Sequence, residues 1–443
     1  MINKTLASLY MFLIFFLLST TAQKFTYDDF KTPEYCGSSC HTDFYQQWKQ
    51  AMMSQAYTHH WDEIEYFQLA IPHAEKDEKV AEVKEGCNGC HAPISYVVGD
   101  VPPPKPEMNS RANESVSCEV CHSITGYEGD TPHNFNYIMN PGKTKYSSRK
   151  GDIQSPAHDI VVTDLHHSGD FCGICHNEMS PFGVWVKSTH LEWKEGPYSK
   201  EGVQCQDCHM PKAKFKPASM GSTYEDTRLH LFHGAHDNGK IKGTIELRIH
   251  PDIREAEPGE TVKFNLALFN QKTGHKFPTG SVEDRMVWLN VEAVDAAGNK
   301  YHLSVDKKGF EGEEYTISAD VLAYQDMGIA LDIPDFEGVQ RDGIPAGNRI
   351  FRMPYFDPQG RMTIQQWNTS SQGVDYRIGP RETKTETFTF NLPDELPAGK
   401  MVVTASLYYQ KLMTPVAEFL NVPEDEAEAV LVNTHSTEIE ILD

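Results

Sequence analysis

The chain has 443 residues and is acidic, with 40 Lys+Arg against 63 Asp+Glu and a formal net charge of −23 at pH 7. A length of that order allows two or three domains. The negative charge excludes nucleic acid as a partner, and it suits basic protein partners and a soluble, well-solvated exterior.

Taken in chain order, Lys4, the apolar run Leu9 to Leu18 and then Thr20-Thr21-Ala22 have the layout of an export signal cut before Gln23. The apolar run is about ten residues, short of the roughly twenty that span a bilayer. Residues 1–22 are therefore expected to be removed, with no integral membrane segment left behind. Residues 23–240 carry all ten cysteines as five tight pairs, each followed directly by histidine. These are Cys36/Cys40-His41, Cys87/Cys90-His91, Cys118/Cys121-His122, Cys172/Cys175-His176 and Cys205/Cys208-His209. The region is poor in strand patterns: Phe44, Trp48 and Met52 recur every four residues, as on a helix face, Pro102-Pro103-Pro104 marks a loop, and Pro141-Gly142 marks a turn.

Residues 241–443 read differently. Ile245, Leu247 and Ile249 alternate with polar residues, as do Val262 to Leu268, Val287 to Ala293, Phe388 and Phe390, and Val403 to Tyr409. Period two over short runs, punctuated by Pro258-Gly259, Ala297-Gly298-Asn299 and Pro397-Ala398-Gly399, predicts half-buried strands. Seven or more of them point to an antiparallel, immunoglobulin-like β-sandwich. The stretch from Lys307 to Gly379 alternates more weakly and reads as an insertion. The fold class is thus α+β by domain, a mostly helix-and-loop first half and an all-β second half.

C-x-x-C-H is the signature of covalent c-type haem: two thiols add to the vinyl groups and the adjacent imidazole is held at the iron. Zinc ribbons do not need a histidine after every second cysteine, and a disulfide framework does not use such near-identical pairs. The first motif has three residues between its cysteines, which lengthens the loop and removes neither thiol nor ligand. Five haem c groups are expected, bound through the ten cysteines, with the five motif histidines as iron ligands. With so little apolar side chain per haem, the porphyrins themselves are expected to form the core of this half.

The second axial position of each iron needs a further side chain or stays open. Eleven histidines outside the motifs lie in the first 240 residues, among them His59, His60, His158, His230 and His236. Three to five are expected to ligate. His275 stands apart, between Gly274 and Pro278; a rigid turn there either reaches back to a haem or is a surface turn of the sandwich.

Several stretches resemble a family of exported multihaem c-type cytochromes that includes the tetrahaem carrier of ammonia oxidisers and octahaem hydroxylamine oxidoreductase. They are Cys36 to Ala56, Cys90-His91-Ala92-Pro93-Ile94, Val116 to His122, Phe171 to Trp193, Val203 to Pro211 and Gly274 to Gly280. The resemblance implies closely stacked haems and electron-carrier chemistry. It also implies a ligand from Ser155-Pro156-Ala157-His158 and from the run after the fifth motif, through His230 and His236. Where the family has Trp-x-x-Ser-x-His, this chain has Trp48 to Met53, so Met53 stands where histidine is usual. Either Met53 ligates, giving a higher potential than bis-imidazole, or His59 or His60 takes over.

The reading is an exported cytochrome, periplasmic or extracellular, moving electrons between redox partner proteins. Two alternatives stay open. One is an oxidoreductase acting on a small nitrogen or sulfur compound at an open haem, with the irregular first motif as the candidate; no C-x-x-C-Lys motif is present. The other is a homo-oligomer or haem filament in which one subunit supplies a ligand to the next.

Overall fold

The computed structural model describes residues 25–151, 153–306 and 348–443. The expected export signal, residues 1–22, and residues 307–347 of the expected insertion lie outside them.

The amino-terminal half is a series of short helices and hairpins. Helix α1 (Thr42–Lys49) carries Phe44 and Trp48, and the Trp48 indole N–H donates to the Val116 carbonyl at 2.9 Å. The helical spacing had included Met52, but α1 stops earlier and Met52 starts a separate 3-10 turn, Met52–Gln55, after an extended Ala51. The Ser54 hydroxyl bonds the carbonyls of Lys49 and Ala51 at 3.1 and 2.8 Å. It thereby takes acceptors that a continuing helix would use. Next come α2 (Val83–His91), α3 (Cys118–Ser123), α4 (Asp170–His176), α5 (Thr189–Glu195) and α6 (Cys205–His209). Apolar clusters here are small, such as Phe30, Ile94, Val120, Ile124 and Ile174. The helices pack around a cavity instead of around one another.

The carboxy-terminal half is built from strands β1 (Ile245–Pro251), β2 (Glu255–Ala256), β3 (Thr261–Asn270), β4 (Met286–Val294), β5 (Lys300–Leu303), β6 (Arg349–Ile350), β7 (Thr383–Asn391), β8 (Gly399–Gln410) and β9 (Ala429–Ile441). One sheet runs β2-β9-β8-β4-β5, with β6 also on β4; the other runs β7-β3-β1. All these pairs are antiparallel except β2–β9, which is parallel. Alternation fixes the register: Val262, Phe264, Leu266 and Leu268 on β3 are buried while their neighbours Lys263 and Asn265 face out. A one-residue slip would expose the whole set. Phe264 pairs with Phe388, and Trp288 stacks on its cross-strand partner Tyr408 with ring centres 5.3 Å apart. Residues from both sheets share one apolar core, from Ile245 and Phe264 on one side to Leu289 and Leu407 on the other.

The halves are joined by buried contacts. Trp61 packs in a cluster with Met286, Trp288 and residues of helix α7 (Thr414–Leu420), including Val416 and Leu420. Val186 packs with Val282, Met353 and Tyr355, and the Tyr355 hydroxyl donates to the Val186 carbonyl at 2.6 Å. Residues 241–443 expressed alone should keep a cooperative unfolding transition, because the two-sheet core is internal to them. They should also be prone to association, because the Trp288 and Tyr355 faces are uncovered. A fragment without a cooperative transition would show that the core depends on the first half.

Candidate haem centres

Cysteines three apart on a helix lie on one face. In α2, α3, α4 and α6 the two thiols therefore point the same way and the motif histidine follows at or near the helix end. In the first motif, Cys36 lies in the short helix Pro33–Gly37, the extra residue is taken up in a turn over 38–40, and His41 begins α1. The His41 N–H donates to the Cys36 carbonyl at 3.0 Å, closing the longer loop.

All ten cysteines and all five motif histidines line one continuous cavity of about 2370 Å³. A single drug-sized ligand needs roughly 300–1,000 Å³. Thiols of different motifs touch: Cys36 with Cys118, Cys90 with Cys175, and Cys172 with Cys205 are within hydrogen-bond reach. The attachment points thus fall into two groups: the first motif meets the third, and the fourth meets both the second and the fifth.

Four motif rings are oriented by backbone. The Nδ1 atoms of His41, His91, His122 and His209 lie 2.6–2.7 Å from the carbonyls of Pro217, Ala56, Tyr146 and His233. A backbone acceptor at Nδ1 fixes the tautomer that leaves the Nε2 lone pair for a metal. Burial pushes His122 down to about 3, and His176, His209 and His230 to about 4. Neutral imidazole is the ligating form.

Three of these rings have an imidazole opposite them. Ring centres are 6.1 Å apart for His41 and His158, 6.3 Å for His122 and His230, and 6.4 Å for His209 and His275. A metal takes an imidazole nitrogen at about 2.0–2.1 Å, and that nitrogen lies about 1.1 Å from its ring centre. Two rings sharing one metal therefore have centres about 6.3 Å apart. His158, His230 and His275 also point Nδ1 at backbone carbonyls, those of Asp159, Arg228 and Lys276. His166 is 6.3 Å from His122 as well, but its two nitrogens are occupied by the Thr163 hydroxyl and the Cys121 carbonyl. Cavity, thiols and ring spacing fit c-type haem.

Three sequence-derived candidates do not stand opposite a motif ring. Met53 lines the cavity in the Met52–Gln55 turn, but the ring across from His41 is His158. His59 packs on His60 and Trp61, with Nδ1 3.1 Å from Asp62 and Nε2 3.4 Å from Glu426. His236 packs edge-on against His59, ring centres 5.5 Å apart, and against Trp61. His236 still lines the cavity, on the wall formed with Trp61.

Sequence reasoning missed a polar wall of the cavity. Asp62, Glu65, Lys187, Asp284, Arg285 and Tyr409 line it, close enough for Lys187 to act electrostatically on Cys90 and for His91 to act on Asp62. Asp284 Oδ1, Arg285 Nε and the Tyr409 hydroxyl are buried without a hydrogen-bond partner among the described residues. Burial pushes the Asp284 carboxyl up to about 6. Charged residues are common in so acidic a chain, and nothing in their local sequence marks these six.

Residues 35–123 match the family model described as cytochrome c554 and c-prime. A cytochrome c-552 of Haemophilus influenzae (strain 86-028NP) is 27% identical over 133 residues, covering 28% of this chain and 22% of that protein. The chain therefore spans about a fifth of the length of that curated relative. The crystal structure of a penta-haem cytochrome c552 from Thermochromatium tepidum superposes with a TM-score of 0.62 at 20% identity, over 93% of this chain and 99% of that one. The shared fold thus extends through both halves. With ten thiols and five histidines around one cavity, the chain is similar to the cytochrome c554 and c-prime family in residues 35–123 and shares its fold with a penta-haem cytochrome c552.

Proposed function

We propose that the chain is an exported electron carrier holding five covalently attached haems in residues 23–240, with residues 241–443 forming an immunoglobulin-like β-sandwich that docks against them. The observation that carries this reading is the single cavity lined by every cysteine and every motif histidine. When bound, haem c supplies reversible one-electron chemistry at the iron. The chain supplies the rest. The fold places cysteines of different motifs close together, so the attached groups would be near neighbours. Backbone carbonyls fix the tautomers of the ligating rings. His158, His230 and His275 would supply the second imidazoles at the His41, His122 and His209 sites. Ligation by two imidazoles leaves no position for substrate and favours electron transfer. No described helix is long and apolar enough to cross a membrane.

Intact mass of the exported protein tests the count. The mature chain should carry the mass of five haems, and four would remove the Cys36/Cys40 motif from the set.

A second reading is favoured by the polar wall. Lys187, paired with Glu178 beside the Cys87/Cys90 motif, and the unsatisfied Asp284 Oδ1 and Arg285 Nε on the same cavity wall offer polar groups to a small oxyanion or hydroxylamine, and such groups concentrate at functional sites. The open position in this reading is at the second motif and not at the first, where His158 faces His41. A high-spin haem that turns over nitrite or hydroxylamine, and loses that activity in Arg285→Ala, would promote the enzyme over the carrier.

A further inference from the structure

We propose that His59, His236 and Glu426 bind one divalent metal ion of the zinc class, at the margin of the haem cavity, which His236 also lines. The three come from distant parts of the chain: the residue before the helix His60–Ile64, the end of the His230–His236 run, and the 3-10 turn Glu424–Ala427. Their ligand atoms all lie within 4.8 Å of one another, and His59 and Glu426 are buried.

The distances favour a metal over hydrogen bonds. His59 Nε2 lies 3.4 Å from Glu426 Oε1, and His60 Nε2 lies 3.3 Å from the same oxygen. Imidazole N–H donors against a carboxylate close to about 2.7–3.2 Å. Two donors on a tetrahedral metal at about 2.0–2.1 Å stand about 3.3–3.4 Å apart. His60 Nε2 is buried without a hydrogen-bond partner among the described residues, but it lies outside the group of three, so the remaining positions on the ion are left to water.

The surroundings are arranged for ligation as well. His59 Nδ1 is held by Asp62 Oδ2 at 3.1 Å. This carboxylate–imidazole pairing orients metal-bound histidines and aims Nε2 at the shared site. Lys411 takes the other Glu426 oxygen, Oε2, at 2.6 Å, leaving Oε1 free. Imidazole and carboxylate without thiolate suit zinc, and copper(II) is the competitor by affinity order. The bound ion would tie the segment after α7 to the amino-terminal half.

The test uses the full haem-loaded protein, stripped with a chelator and then titrated with zinc by calorimetry, with zinc and iron measured by elemental analysis. One zinc per chain and a raised Tm are expected. Glu426→Gln and His59→Ala should abolish retention, and Asp62→Asn should weaken it by about 10–100-fold. The count of low-spin haems should stay unchanged in all three. Wild-type protein that retains no zinc at micromolar concentrations overturns the proposal, and that measurement needs no variant to fold. So does a His236→Ala protein in which one haem becomes high-spin, since His236 would then be a haem ligand.

Discussion

Replacing Glu192 by Ala should cost about 1–3 kcal/mol of stability, because it removes one of the two carboxylates that hold a buried arginine and leaves buried donors unsatisfied. Glu192 on α5 meets Arg377 Nη1 at 2.6 Å, and both side chains are almost wholly buried. The same carboxylate accepts from the Thr279 hydroxyl at 2.7 Å and from the Lys276 N–H at 3.1 Å. It is therefore the point at which the amino-terminal half grips the turn carrying His275. Asp375 completes the set, bracing Arg377 through Nε and Nη2 at 2.9 Å each. Glu192→Gln keeps the hydrogen-bonding shape and should cost less than the alanine change. Chemical denaturation of the haem-loaded protein measures both. A loss below about 1 kcal/mol for Glu192→Ala would put the pair in the class of exposed bridges that contribute little.

The same cluster sets an acid limit. Burial raises both carboxyls, but Arg377 more than offsets it, so Glu192 ends below its ordinary 4.5 and Asp375 falls to about 2. Depressed carboxylates contribute stability that is fully present above their unfolded values and is lost as pH falls through the folded ones. Stability should therefore decline from about pH 4.5 toward pH 2. Arg377→Met should flatten that decline.

Changing His230 to Ala should convert one low-spin haem to a high-spin or water-ligated one, with the other centres unaltered. His230 faces His122 at 6.3 Å between ring centres, its Nδ1 is fixed by the Arg228 carbonyl, and burial keeps it neutral. His166 stands equally far from His122, but its nitrogens are already committed, so it does not replace the lost ligand. His158→Ala and His275→Ala should do the same at the His41 and His209 sites. Met53→Ala should leave the spin states alone. Electron paramagnetic resonance of the oxidised protein counts the centres. An unchanged spectrum for His230→Ala would pass the role to His166.

What the sequence discloses here follows from how local each constraint is. Attachment of haem fixes two thiols and an imidazole within five or six residues, so the motifs are legible on their own. Strand alternation on β3 and β8 is equally local, and it foretells which residues enter the two-sheet core. The end of α1 at Lys49 was not legible from periodicity, because it depends on where the Ser54 hydroxyl sends its hydrogen bond. Pairing across the cavity was hidden for another reason. His209 faces a residue 66 positions later, and His59 meets Glu426 from the far end of the chain. Histidines are similar in sequence whether they point at a metal, a carboxylate or a backbone carbonyl, and only their unoccupied nitrogen tells them apart. The polar wall is silent for the same reason, since Lys187 and Asp284 look like surface charges until the fold buries them.

The turn that presents His275 to His209 has a consequence for biosynthesis. All five attachment motifs are made before residue 210, whereas the ring opposite the fifth arrives only with the later half. A product cut short by a stop codon or a protease would still take up its full colour and would still be counted as mature by mass of cofactor. It would differ in having its last site exposed, and with it a place for stray oxygen or nitric oxide to react. If His275 is the second ligand at the His209 site, as proposed, completion of the chain is coupled to closure of the fifth centre.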